Sequence, residues 1–531
     1  MEKINARKLS LIFIFVLILL VLALLVGKFS YSYLGQRIGE DLEGQGEVTA
    51  SGDTLIFSKG NNLSLSATSD NFTTGGSNLS STTNPKVKLV ASSRTNEANA
   101  TYYVGVFIKN NSYTYSTSDN TPEVILTIKD ENGNNVTSGV DGLSYVTSNG
   151  VSGFDVTKAN GIYNVKTDYP ISTTSSTTGT THTWTFTLTF VNLSTDQSVN
   201  ENAKMNVDVY IQKEEYKPTL AEYVVSQYSG TQGDNGIYYH DSSLANGAGD
   251  NSYRYAGASD AVNNYVCFGS TTSPCPTDNL YRIIGVFGEN NHGVTEKQLV
   301  KLIKYDYATS NLLGTDGDYQ GSDAPGSTYK GSLSKVDTYY WNYKNNTTIN
   351  SGSGSNIWST SLLNKINLNT NYLNNIGTTW SNLIEDATWK VSGHSTESVT
   401  PSEMCAAEIE NATKTYGPSD GTSKIGLVYL SDYGFAASPS AWTKNLFDYN
   451  SADVNGTSIT TINWMYMGDY EWTISPYSSY SNVVFYLDGD GYVDNYPADN
   501  GFGSRPVLYL KASVLYAGGS GTKDSPITLV V

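Results

Sequence analysis

SPYSSYSNVVFYLDGDGYVDNYPADNGFGSRP, residues 475–506, carries two patterns at once. Val483, Phe485 and Leu487 alternate with Val484 and Tyr486, LDGDG supplies an Asp-Gly turn, and Tyr492, Val493 and Asp494 lead back. That order spells a β-hairpin. The same stretch is dense in Tyr, Ser, Asn, Asp and Gly, the residues of adaptable contact surfaces. Alternate residues of a strand face opposite ways. With Val483, Phe485 and Leu487 turned inward, Asn482, Val484 and Tyr486 are expected to face out. Across the turn Val493 goes in, while Tyr492, Asp494 and Tyr496 go out. The predicted ligand-binding set is Tyr477, Tyr480, Asn482, Tyr486, Asp488, Asp490, Tyr492, Asp494, Tyr496 and Asp499. Tyr suits such a surface because a large area and a polar tip come with few rotors to freeze. The plainer reading makes these rings half-buried β residues with no partner.

The composition of the whole chain narrows the alternatives. Its 531 residues suffice for two or three domains, and with 15% charged residues the net charge is still −18. No basic stripe exists to neutralise phosphates, so nucleic acid is excluded as a partner. Polarity comes from Ser, Thr, Asn, Gly and 40 tyrosines, which favours β structure over helix. The four histidines are scattered. Of three cysteines, Cys267 and Cys275 stand close in VCFGSTTSPCP and are either a short disulfide or two free thiols, with no His nearby for a zinc site.

At the other end of the chain, MEKINARKLSLIFIFVLILLVLALLVGKF reads as a transmembrane anchor or uncleaved signal over 9–27. Its helix would be roughly 27 Å long against a hydrocarbon core of ~30 Å. Lys3, Arg7 and Lys8 precede it, which predicts a cytoplasmic amino terminus (1–8), single-pass membrane location and an extracellular bulk. Residues 28–50 read as a polar tether. From 51 to 213, alternating runs such as KVKLVASS, ATYYVGVFIKN, EVILTIKD, THTWTFTLTFVN and KMNVDVYIQK predict an all-β, immunoglobulin-like sandwich serving as a stalk. Residues 214–230 hold a charged linker and a short amphipathic helix, PTLAEYVVSQY. Seven of eight tryptophans follow it, so 231–531 is expected to be compact though rich in loops. Within it WSTSLLNKINLNTNYLNNI (358–376) has Leu362, Leu363, Ile366, Leu368, Tyr372 and Leu373 near a 3.6 period and predicts a helix.

Several phrases carry a resemblance: GDNSYRYAGASDAVNNYVCFGS, CPTDNLYRIIGVFG, VKLIKYDYA, LVYLSDYGFAASPSAW, NWMYMGDYEWTISP and GFGSRPVLYLKASV. Over about 216–531 the chain resembles large extracellular proteins of anaerobic Gram-positive bacteria. Their carboxy-terminal domain is similar to the C-type-lectin fold in its formylglycine-generating-enzyme variety, an α+β domain with long loops. The same fold serves the variable proteins of diversity-generating retroelements, in which a segment placed like this hairpin binds other proteins. The catalytic relatives use a reactive cysteine pair, and Cys405 has no second Cys near it, so that activity does not carry over and no enzyme is expected. No cofactor is expected either. Calcium enters only through Asp488, Asp490 and Asp494, or Asp316, Asp318 and Asp323, neither set having the placement of a calcium loop. The first half is similar to biofilm-fibre and camelysin-like surface proteins.

The function this predicts is a cell-surface binding protein, adhesin- or receptor-like, that meets a protein or glycan ligand through the terminal hairpin. The alternative is a structural surface protein or fibre subunit that self-associates through the β-sandwich.

Overall fold

The computed structural model describes residues 45–50, 52–109, 111–228, 230–343, 354–410, 421–450 and 458–531. Two compact units meet in sequence between Tyr216 and Lys217.

In the first unit, β-branched and aromatic runs form three antiparallel sheets. One orders Gln45–Ala50, Asp53–Ser58, Lys86–Val90 and Thr180–Thr183; another orders Gly161–Thr173, Ala98–Lys109, Lys204–Gln212 and Leu63–Ser66. The third orders Leu79–Thr83, Thr185–Phe190, Val124–Lys129, Val151–Asp155 and Tyr145–Ser148. Alternation decides which side chains are buried: in Lys204–Gln212, Met205, Val207 and Val209 go in while Lys204 and Asn206 stay exposed. On the third sheet hydroxyls pair across strands, Ser80 with Thr189 at 2.9 Å and Thr82 with Thr187 at 3.0 Å. Trp184 fills the core, its indole N–H donating to Tyr102 Oη at 2.9 Å. The polar tether expected over 28–50 ends early, because Gln45–Ala50 pairs in register with Asp53–Ser58.

The second unit is built on a seven-stranded sheet. Its path runs Ile237–His240, Ser252–Tyr255, Leu280–Phe287, Leu299–Lys304, Val507–Tyr509 and Ile425–Gly426, with Tyr265–Cys267 also on Leu280–Phe287. Every residue of Leu280–Phe287 and of Leu299–Lys304 is buried, so these strands are covered on both faces. Two three-stranded sheets lie in the same unit: Tyr319–Asp323 with Val336–Tyr340 and Gly501–Phe502, and Glu471–Pro476 with Val483–Leu487 and Val493–Pro497. Trp341, Trp358, Trp389, Trp442 and Trp472 are almost wholly buried in it. Cys267 and Cys275 are joined as a disulfide, with their Cα atoms 5.8 Å apart.

Helices are few and short. The expected amphipathic helix is Leu220–Ser226, opened by a capping box in which Glu222 N donates to Thr219 Oγ1 and Thr219 N to Glu222 Oε2. The stretch 358–376 winds at 3.6 residues per turn only over Leu373–Asn375. It is a 3-10 turn, Trp358–Thr360, followed by a π-helix, Leu363–Tyr372. Asn side chains hold that wider turn to its surroundings, Asn367 Nδ2 donating to Leu313 O at 2.8 Å and Asn369 Nδ2 to Ile425 O at 3.0 Å.

Two expectations are corrected. The fold taken as a whole is mostly β-sheet, with no helix of the described residues longer than ten residues, rather than a membrane helix, a sandwich and an α+β lectin-like domain. The first unit has three sheets where a sandwich has two. The segment 9–27, read as a transmembrane anchor, lies outside the described residues. Among those described, no helix is long and apolar enough to cross a membrane, and the single-pass cell-membrane placement with an extracellular bulk is withdrawn.

Candidate functional site

Val483–Leu487 is the central strand of its small sheet, with Leu487 opposite Val493 on one side and Glu471 opposite Leu487 on the other. At the turn, Asp488 N donates to Tyr492 O and Gly491 N to Asp488 O, both at 2.9 Å. The Asp488 carboxylate accepts from Asp490 N at 2.9 Å, and Gly491 takes φ 93°, which its lack of a Cβ permits.

The expected alternation does not hold on this strand. Val484, Phe485, Tyr486 and Leu487 are all buried, because neighbouring chain covers both faces. Tyr486, expected outside, is only 6% exposed and packs against Phe502 at 4.8 Å, Tyr470 at 5.9 Å and Tyr496 at 6.1 Å between centroids. Asp488 is buried too, and burial raises its carboxyl above the usual range. Asn482, Tyr477, Tyr492, Asp494 and Asp499 are half-buried. Tyr480, Asp490 and Tyr496 are exposed. Burial, then Asp488, pushes the Tyr492 hydroxyl up to about 12, and burial raises Asp494.

Exposed aromatic rings nevertheless lie around the hairpin, Tyr480 and Tyr496 from the expected set and Tyr343, Phe447 and Tyr470 from outside it. Tyr343, Phe447, Tyr470, Tyr480 and Tyr496 are exposed by 43–60%, and apart from two carboxy-terminal valines they are the second unit's exposed large apolar side chains among the described residues. Each is on the hairpin or beside it. Tyr470 and Tyr496 lean on Phe502 at 5.3 and 5.9 Å, and Phe447 on Tyr492 at 5.8 Å. Tyr480 stacks on Tyr477, with planes 13° apart. Tyr343 stacks at 4.5 Å on Tyr340, which pairs with Gly501. Asn356 ties down the approach: its Nδ2 lies 3.2, 2.8 and 3.0 Å from the carbonyl oxygens of Tyr477, Tyr480 and Val483.

A second cluster is buried in the larger sheet. Arg254 Nη1 meets Asp432 Oδ1 at 3.1 Å and its Nη2 meets Asp250 Oδ2 at 2.7 Å. Lys301 Nζ pairs with Asp432 Oδ2. Arg254, Lys301 and Asp432, with Cys405, Glu408 and Tyr509, line a cleft with room for about one water molecule. Burial pushes the Cys405 thiol up to about 12, which leaves it inert, and the Glu408 carboxyl up to about 7. Spacing could not reveal this cluster, since 131 residues separate Lys301 from Asp432. One signal was available: Lys301 sits inside the apolar run LVKLI, where a strand buried on both faces has no route to water for a charge.

Among the described residues no group of three or more His, Cys, Asp or Glu side chains could hold a metal ion. Comparison with protein-family models, curated proteins and solved structures gives no match to this chain.

Proposed function

We propose that the chain is a recognition protein that binds a protein or glycan partner through the aromatic and acidic patch around its terminal hairpin, without turning over a substrate. The observation that carries this reading is that the exposed rings Tyr470 and Tyr496 share Phe502 beside the hairpin, with Phe447 on Tyr492, in a unit that otherwise buries most of its large apolar side chains. An exposed aromatic group of this kind, bordered by Asp490, Asp494 and Asp499, suits a partner with an apolar face and hydrogen-bond donors. If each ring loses roughly 100 Å² of exposed surface, ~25 cal/mol per Å² gives several kcal/mol from three or four rings. Association costs are of similar size, so affinity in the micromolar range is expected.

The test uses the full chain on arrayed glycans and arrayed proteins. A specific signal that falls ~10-fold or more in Tyr470→Ala/Tyr496→Ala and in Tyr480→Ala supports the proposal. Tyr486→Phe, which keeps the buried ring, is expected to bind like the parent. No signal on either array, or binding indifferent to the exposed rings, overturns it. Concentration-dependent self-association without other binding would instead favour a structural subunit. The first unit offers little for that, since Val199 is its one exposed large apolar side chain among the described residues.

A further inference from the structure

The buried pair Lys301–Asp432 has features that a structural ion pair does not need. The two side chains are 1% and 2% exposed, on the Leu299–Lys304 strand and the Leu430–Ala436 helix. Around Lys301 Nζ stand four aromatic rings, those of Tyr429, Phe287, Tyr509 and Trp389, at 4.2 to 5.7 Å from their centroids. Asp432 is the ammonium's hydrogen-bond acceptor, and ring faces cover the rest of it. Burial lowers the Lys301 amine and favours its neutral, nucleophilic form. Arg254 Nη1 donates to Asp432 Oδ1, so one carboxyl oxygen is held and polarised while the other faces the amine. Glu408 is buried beside the same cleft, where Leu430 N at 3.0 Å and the Ser475 hydroxyl at 2.7 Å both donate to its Oε1. The Tyr509 hydroxyl, also at the cleft, is buried without a hydrogen-bond partner.

We propose that Lys301 and Asp432 become joined by an intramolecular amide bond, formed by the folded protein itself and tying the central sheet to the Leu430–Ala436 helix. The ammonium and carboxylate exchange a proton, with Glu408 as the relay. Lys301 Nζ then attacks Asp432 Cγ, and Oδ1 gathers negative charge against Arg254. The new N–C bond is kept, the Cγ–Oδ2 bond breaks, and Oδ2 leaves as water with two of the three ammonium protons. One ammonium and one carboxylate give one amide and one water, so net charge is unchanged and no oxidant, reductant or cofactor is consumed. Two buried charges disappear, and with them the cost of keeping them from water.

The experiment is the intact mass of the full chain after reduction and denaturation, followed by tandem mass spectrometry of a tryptic digest. The expected result is a mass lower by one water, with no cleavage after Lys301 and a branched peptide joining Lys301 to Asp432. Lys301→Met and Asp432→Ala restore the full mass. Asp432→Asn re-forms the bond by loss of ammonia and returns the parent's product mass. Glu408→Gln, with its fold checked by near-ultraviolet circular dichroism, accumulates unlinked chain. A full mass in folded parent protein overturns the proposal and leaves an ion pair only. A water deficit that persists in Lys301→Met overturns it as well, and a deficit undiminished in folded Glu408→Gln overturns the relay role.

Discussion

His240 is buried between Phe435 and Trp442, with ring centroids 4.8 and 5.1 Å away. Its Nδ1 accepts from Ala248 N at 3.0 Å, so the neutral ring carries its proton on Nε2. Burial, helped by Arg254, lowers its pKa to about 3 from an ordinary 6.5. The folded state therefore resists a proton that the unfolded chain accepts. Stability from this residue is fully present above pH 6.5 and is lost as pH falls towards 3, by about 2 kcal/mol at pH 5. Between pH 7 and pH 5 the raised Glu408 carboxyl gains stability of similar size, so the His240 loss is read as a difference: in urea unfolding the parent should fall by about 2 kcal/mol relative to His240→Gln, which keeps an acceptor for Ala248. At this scale the sequence was legible only in part. Tyr480, Asp490 and Tyr496 are exposed as their positions suggested, whereas Tyr486 and Asp488 are not. Nothing local separates Tyr486 from Tyr496: what buries Tyr486 is Phe502 and Tyr470, brought in from other parts of the chain.

At the scale of elements, the hairpin and its turn were written in LDGDG and the flanking β residues, because a turn and its register are decided by a few neighbouring residues. Its two-faced burial was not, since alternation predicts sidedness only for a strand with one open face. The π-helix escaped for a related reason. Its apolar spacing imitates a 3.6 period, and the wider turn is stabilised by Asn367 and Asn369 reaching the short helix Ser310–Leu313 and the strand Ile425–Gly426. Asn356 works in the same way on the hairpin's approach. One buried amide nitrogen lies near three carbonyl oxygens; removing it takes a donor from Tyr480 O, while Tyr477 O and Val483 O keep backbone donors, at about 1–3 kcal/mol. Asn356→Ala is expected to lose that much in urea unfolding, and hydrogen exchange should quicken first over residues 477–483.

The described residues form two large cores, one around Trp184 and Tyr102 and one holding six of the other seven tryptophans, with Trp442 in a small cluster beside Phe435 and Cys405. Each is large enough for cooperative unfolding of its own. Guanidinium denaturation followed by Trp fluorescence should report mainly the second unit, while far-ultraviolet circular dichroism reports both. Non-coincident curves are expected, and Trp184→Phe should leave the fluorescence curve nearly unchanged. A single coincident transition would show that the units unfold as one. The division at Tyr216–Lys217 falls near the change in tryptophan content and the KEEYKP run, which is why it could be read from composition.

The sequence by itself determined the β character, the two-unit division and the terminal hairpin, because side-chain alternation, turn chemistry and tryptophan content act within short windows of chain. Tertiary structure alone decided which tyrosines meet water and which charges are sealed inside. Those outcomes depend on contacts between residues far apart in sequence: Tyr343 and Phe447 at the patch, and Lys301, Glu408 and Asp432 at the cleft. Burial belongs to the assembled packing, and no local pattern contains it.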